Sequence, residues 1–337
     1  MPIELQFADI IKKTPFMWPD SIIHLFVGGS GAHGAVGNKP TDLDLNGVYI
    51  QPVEFVLGIP QMREDEEGNK KRFDPDTQVW SSSGDHAKNT AGDVDLNLYS
   101  LRKWANMAAT GNTTALEFLF VENKAPKPDI WNKHIYLNKD VFLSARAGFH
   151  FLEFAKNMLK RLKGEGMGKH GQRPELEQEF GYDVKAAMHV IRVLCEGIEL
   201  MKHGRITLPR PEVVTLKGIR SGDFKLEEIE RMYADLAAEL QQAQANSKLP
   251  AEIDRAGISR IITEAQKEFW SWHSEPAQVL AKALNIAVMW IAATMELAST
   301  GKAVEIGNTG LVVSDEWKNE DRVKKDLLEL ALKLHRG

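Results

Sequence analysis

The sequence predicts an α+β chain: a small mixed sheet over roughly the first 135 residues, then a mainly helical part over 136–337. Three observations predict it. Apolar or alternating runs at 22–27, 43–50 and 93–99 have the length and period of strands. Pro126 and Pro128 then interrupt the pattern, which sets a domain boundary near residues 123–140. Beyond it, apolar residues recur at helical spacing, most clearly over 183–202.

Ile22 to Val27 is a short, mainly apolar run ending in glycines, as expected of a buried strand. In the second run, Leu43, Leu45 and Val48 enclose Asp44 and Asn46. The charged stretch 61–78 reads as a solvated loop or hairpin. Val94, Leu96 and Leu98 alternate with Asp93, Asp95, Asn97 and Tyr99, which gives a strand with one polar face. Helices are expected over 101–110 and 113–121, separated by the stop pair Gly111-Asn112. Further helices are expected over 225–246, 252–274, 276–299 and 316–334, with a short extended piece between 301 and 315.

Apolar residues at 43% and charged residues at 26% are ordinary for a soluble globular chain. The formal net charge of -5 excludes a global attraction to nucleic acid or anionic lipid, so any polyanion must meet a local basic patch. Cys195 is the only cysteine, which excludes an internal disulfide and suggests a buried thiol. The run Val279 to Leu297 is interrupted by Lys282, Asn285 and Glu296, so it reads as a bundle helix rather than a membrane span. With no signal-peptide pattern at the N-terminus, the expected location is cytoplasmic.

Gly28-Gly29-Ser30-Gly31-Ala32-His33-Gly34 follows the first strand and formally contains G-x-G-x-x-G. A dinucleotide fold requires a helical crossover before the next parallel strand. Here Gly37, Asn38 and Pro40 come at once and the next strand begins near Asp42, so that fold is excluded. The second strand itself carries more chemistry. Asp42 and Asp44 lie two residues apart, so a strand projects both from one face. Like charges held that close call for a cation, and an all-oxygen set suits Mg²⁺. Asp95, on the polar face of the later strand, is a third carboxylate. Three carboxylates can hold two metal ions that activate a hydroxyl and stabilise a pyrophosphate leaving group.

These residues resemble the DNA polymerase β superfamily of nucleotidyltransferases, whose pattern is Gly-Ser, a strand with alternating aspartates, and a later acidic strand. Within it the chain is similar to the RlaP family of polymerase-β-like proteins encoded beside RNA repair ligases. The family-level resemblance lies in Asp95-Leu96-Asn97-Leu98-Tyr99-Ser100-Leu101-Arg102-Lys103, Leu116-Glu117-Phe118 and Gly181-Tyr182-Asp183-Val184-Lys185 with His189 and Arg192. It spans residues 28–202. The resemblance implies metal-dependent nucleotidyl transfer from an NTP, ATP foremost. Asp42, Asp44 and Asp95 would be the catalytic and metal-binding residues, with two Mg²⁺ ions (Mn²⁺ as a substitute). Gly29 and Ser30 would lie at the terminal phosphates. Gly31 departs from the larger residue many relatives carry after the serine.

Other constellations have two readings each. Arg102 and Lys103 either neutralise triphosphate or are ordinary exposed helix residues. Lys185, His189 and Arg192 fall on one helical stripe, either a solvated face or a basic wall towards nucleotide or acceptor. Residues 156–173 hold Lys156, Lys160, Arg161, Lys163, Lys169 and Arg173 against Glu165 alone. Four glycines suggest a mobile loop that orders around a polyanion. An RNA or tRNA end is the first candidate acceptor. Adenylylation of a protein side chain fits the acidic overall charge, and a non-catalytic nucleotide-binding protein is the rival from another class.

Overall fold

A computed structural model describes residues 14–35, 43–59, 62–64, 70–72, 75–84, 93–125, 129–164 and 173–272, with isolated positions at 7, 10–12, 297, 300, 304–305 and 312–313. Asp42 and Lys169, and the helices expected over 276–299 and 316–334, lie outside these residues apart from position 297.

The sheet is built from β1 (Ile22–Val27), β2 (Leu43–Tyr49), β5 (Thr77–Ser81) and β6 (Val94–Ser100), in the order β1-β2-β6-β5. β1 and β2 pair antiparallel, β2 and β6 parallel, and β5 and β6 antiparallel, so the sheet is mixed. Antiparallel pairing of β1 with β2 also rules out the dinucleotide fold, which needs a parallel return strand. Between β1 and β2 the chain makes one short helix, α1 (Gly29–His33). Another, α2 (Val53–Leu57), follows β2. The charged insert contains a small antiparallel hairpin, β3 (Met62–Glu64) with β4 (Lys70–Arg72), and then runs into β5 as an edge strand of the main sheet.

β1 is buried on both faces, His24 included. On one side Leu25, Leu45, Tyr49, Leu96 and Leu98 pack with Phe7, Ile11 and Phe16. On the other, His24 stacks on Trp131 at 4.0 Å and Phe26 meets Phe118 edge-on at 4.7 Å. The free edge of β1 is closed by residues 123–124: Leu25 N–H donates to Asn123 Oδ1, Asn123 Nδ2 to the Ile23 carbonyl, and Lys124 N–H to the Leu25 carbonyl. These bonds cover the backbone edge on that side.

Ser100 ends β6 and caps α3 (Leu101–Ala109) by accepting from Lys103 N–H. Asn112 caps α4 (Thr113–Glu117) in the same way, accepting from Ala115 N–H. The helical part then comprises α5 (Arg146–Leu162), α6 (Pro174–Phe180), α7 (Val184–His203), α8 (Val213–Ser221), α9 (Leu226–Ala245) and α10 (Arg255–Trp272). The buried stripe of α7 makes it the central helix, packed on α5 and α9. Gly197 permits this close approach, because a Cβ there would lie 2.9 Å from Phe151 and 3.2 Å from Leu240.

By its internal packing the chain divides into two units, 1–266 and 267–337. The expected boundary near 135 therefore falls inside the first unit, where the sheet gives way to the helices. The second unit contains β7 (Val304–Glu305) paired antiparallel with β8 (Val312–Val313), where a short extended piece was expected. One expectation needs correction. The basic segment 156–173 is not a loop throughout: Lys156, Lys160 and Arg161 stand on α5, where the apolar stripe Phe151, Ala155 and its neighbours continues the helix. No helix among the described residues is long and apolar enough to cross a membrane.

Candidate active site

The turn after β1 is shaped by two glycines pressed against β2. Gly28 N–H donates to the Asp44 carbonyl at 2.8 Å, and a Cβ on Gly28 would lie 2.1 Å from Asn46 Nδ2. Gly29 has a φ of +57°, and a Cβ there would lie 2.0 Å from Asp44 Oδ2. Only glycine satisfies both the left-handed backbone and the close approach. The Asp44 carboxylate is thus set directly against the turn, with Ser30 next in the chain. α1 ends at Gly34, also left-handed, which leaves room for Pro209 and Val213 from the segment leading into α8.

Asp44 and Asp95 are register partners on the parallel strands β2 and β6. Neighbouring strands lie about 4.8 Å apart and in-register residues share a face, so the two carboxylates project side by side. Both are half-buried. Asp93 lies one step outside β6; its carboxylate accepts from Ser82 Oγ at 3.1 Å and its carbonyl from Leu43 N–H at 2.7 Å. The all-oxygen chemistry of Asp44 and Asp95 suits a hard divalent cation.

Arg102 and Lys103 are exposed at the other end of β6. Seven residues of mostly extended chain separate Asp95 from Arg102, on the order of 20 Å. The structure does not bring these two side chains to the carboxylates.

His189 is pushed down to about 3, first by burial and then by the positive charges of Arg192, Lys185, His33 and Arg173. That set of causes gathers cations from α1, from α7 and from the start of α6 around one neutral imidazole. Asp183, which caps α7, holds Arg173 there at 3.0 Å.

Arg192 has a different environment from the open wall that the spacing suggested. It is buried, and its Nη1 donates to Glu117 Oε1 at 2.7 Å and to Glu196 Oε1 at 2.8 Å. His33 joins the same cluster: its Nε2 touches Arg192 Nη1 and lies 3.4 Å from Glu117 and 3.3 Å from Glu196. Its Nδ1 bonds the Gly29 carbonyl. Burial pulls His33 down, but the Glu117 and Glu196 carboxylates prevail over it and over Arg192, and push it up to about 9. Glu117 is held well below the usual carboxylate range, since Arg192 and His33 outweigh its burial. Arg192 and, while it is protonated, His33 balance two carboxylates; a protonated Nε2 donates to those carboxylates and accepts nothing from Arg192.

His33, Glu117 and Glu196 also form a group able to hold a metal ion, with one ligand atom from each lying within 4.8 Å of the others. Sequence reasoning missed this cluster. Glu117 lies 84 residues from His33 and Glu196 a further 79, and only Glu196 shows a helical spacing to Arg192. The usable signal was a set of charged residues on apolar faces: His33 beside the glycine turn, Glu117 between Leu116 and Phe118, and Glu196 inside the α7 stripe.

A family model described as the RNA repair pathway DNA polymerase beta family, RlaP, matches residues 2–269. No curated protein matches the chain.

Proposed function

The chain belongs to the RlaP family and is a nucleotidyltransferase, and from that premise we propose that it moves a nucleoside monophosphate from an NTP, ATP foremost, to the hydroxyl at an RNA or tRNA end, releasing pyrophosphate. The observation that carries this reading is the register pairing of Asp44 with Asp95 against a turn whose Gly29 has no room for a side chain.

In this reading Asp42, Asp44 and Asp95 would together hold two divalent cations, Mg²⁺ or Mn²⁺. Bound there, Mg²⁺ supplies charge neutralisation for the triphosphate and acidifies the attacking hydroxyl. Asp95 accepts the hydroxyl proton as the new P–O bond forms, and the bond to pyrophosphate breaks. Gly29 and Ser30 receive the terminal phosphates. Lys185 and His189, in the cationic cluster of α7, face the same polyanion, and the positive surroundings of His189 favour it. Arg102 and Lys103 are given no phosphate to bind, because they stand at the far end of β6.

The acceptor reading rests on two supports. The matching family is described by an RNA repair pathway. Lys156, Lys160 and Arg161 are exposed cations on α5 of an otherwise acidic chain. The test is incubation of the full chain with labelled ATP, Mg²⁺ and either total RNA or total protein. Label in the RNA fraction supports the reading; label in protein alone transfers the proposal to side-chain adenylylation.

A further inference from the structure

The buried cluster of His33, Glu117 and Glu196 has the donor set of a metal site, yet it already holds a positive charge. A metal in such a set sits about 2.0–2.2 Å from each ligand. Arg192 Nη1 lies at hydrogen-bond distance from both carboxylates and touches His33, among all three ligand atoms. The guanidinium is buried with them, on the same helix as Glu196 and one turn before it. Glu196 is itself 0% exposed, and its second oxygen has no hydrogen-bond partner among the described residues. Removal of the guanidinium would therefore leave buried carboxylate charge short of its main counter-charge.

The cluster also leads to the glycine turn. Arg192 and His33 share the Glu117 and Glu196 carboxylates, His33 Nδ1 bonds the Gly29 carbonyl, and the α-carbon of Gly29 abuts the Asp44 carboxylate. A second tie, from Arg210 N–H to the His33 carbonyl at 3.2 Å, fixes the other end of α1. Three elements distant in sequence, α1, α4 and α7, converge on the segment that sets Asp44.

We infer that Arg192 is the resident cation of this cluster, in the place a metal ion would take, and that it acts as a positioning residue which, through His33, fixes the glycine turn against Asp44. The positioning half rests on the nucleotidyl-transfer reading; the resident-cation half does not. Arg192 touches no substrate. Its effect falls on the geometry of the reacting groups, where a displacement of about 1 Å costs on the order of 100-fold in rate.

Two measurements on the full chain test this. The first is Zn²⁺ titration in an Asp44→Asn, Asp95→Asn background, which removes those two carboxylates as competing ligands. The parent cluster should bind no Zn²⁺ tightly, and addition of Arg192→Ala should create one tight site that His33→Ala abolishes. Stoichiometric Zn²⁺ binding with Arg192 intact, lost on His33→Ala, would overturn the inference. The second compares wild type, Arg192→Lys and Arg192→Ala in transfer assays with free guanidinium ion added at millimolar concentration. Arg192→Ala should lose about 100-fold in kcat, with KM for ATP changed far less. Arg192→Lys should retain part of the rate, and guanidinium should restore at least tenfold to the alanine variant. A folded Arg192→Ala with full kcat would overturn the positioning role. If Arg192→Ala does not fold, His33→Gln takes its place in the kinetic comparison. It should show the same loss in kcat, and unchanged kcat there would overturn the role equally. If the wild type transfers no label, the proposed function fails. The Zn²⁺ titration then still decides the resident cation, and the positioning role falls with the reaction it serves.

Discussion

Two groups of acidic residues meet α1, one at Gly29 and the other at His33, and they differ in burial. Asp44 and Asp95 stand side by side on neighbouring strands, half-buried, with Asp44 against the glycines of the turn. Glu117 and Glu196 are buried, and the chain supplies Arg192 and His33 to meet them. Charge enclosed in a protein needs a partner built into the fold, because no solvent compensates it. Half-buried carboxylates keep part of their surface open to solvent, which the proposed metal site requires. On the proposed reading, the contrast separates a site for chemistry from a structure that holds it.

The largest expected effect separates the two aspartates of the acidic strand. Asp95→Asn should lower transfer on the order of 10³-fold, while Asp93→Asn, whose carboxylate bonds Ser82, should cost little activity. The reverse result in a transfer assay would shift the third ligand by one strand period. Next comes the turn. Gly29→Ala forces a side chain into the Asp44 carboxylate at a positive φ, at a cost of about 1–2 kcal/mol from the backbone alone. Denaturant unfolding should show that loss together with reduced kcat; an unchanged rate would mean that the turn does not set Asp44.

The buried cluster gives a pH signature. His33 is raised from its ordinary 6.5 to about 9, so its contribution is fully present below about pH 6.5 and is lost as pH rises through about 9. That is on the order of 3 kcal/mol. Unfolding free energies between pH 6.5 and 10 should fall more steeply for the parent than for His33→Gln. Parallel curves would show that His33 gains nothing from the carboxylates. The smallest effect is expected on α5. Replacing Lys156, Lys160 and Arg161 with alanine should weaken RNA binding and reduce its salt slope by about 0.7 for each phosphate no longer neutralised. An unchanged slope would remove α5 from the acceptor surface.

The chemical half of this comparison is legible in the sequence and the structural half is hidden, for a physical reason. Strand alternation is local, so the sequence alone sets Leu96 and Leu98 inside and Asp95 on the opposite face, and burial agrees. The caps at Ser100 and Asn112 are equally local, as is the apolar stripe of α7. Arg192 is legible as part of a polar stripe but not as a buried group, because its partners arrive from α1 and α4. The edge strand β5 is hidden for a similar reason. Its Thr-Gln-Val-Trp-Ser run is half exposed and gains its order from pairing with β6. The glycines of 156–173 suggested a loop, yet α5 extends to Leu162 because its apolar positions pack on α7.

The comparison turns on whether the Asp44 and Asp95 carboxylates hold the metal on which transfer depends. The decisive experiment is label transfer from ATP by the full chain with Mg²⁺, with excess EDTA, and with Mg²⁺ in Asp44→Asn, each variant shown to keep its far-UV spectrum and unfolding midpoint. Transfer should occur only in the first case. Undiminished transfer by folded Asp44→Asn, or by wild type in EDTA, would refute metal-dependent catalysis at these two strands.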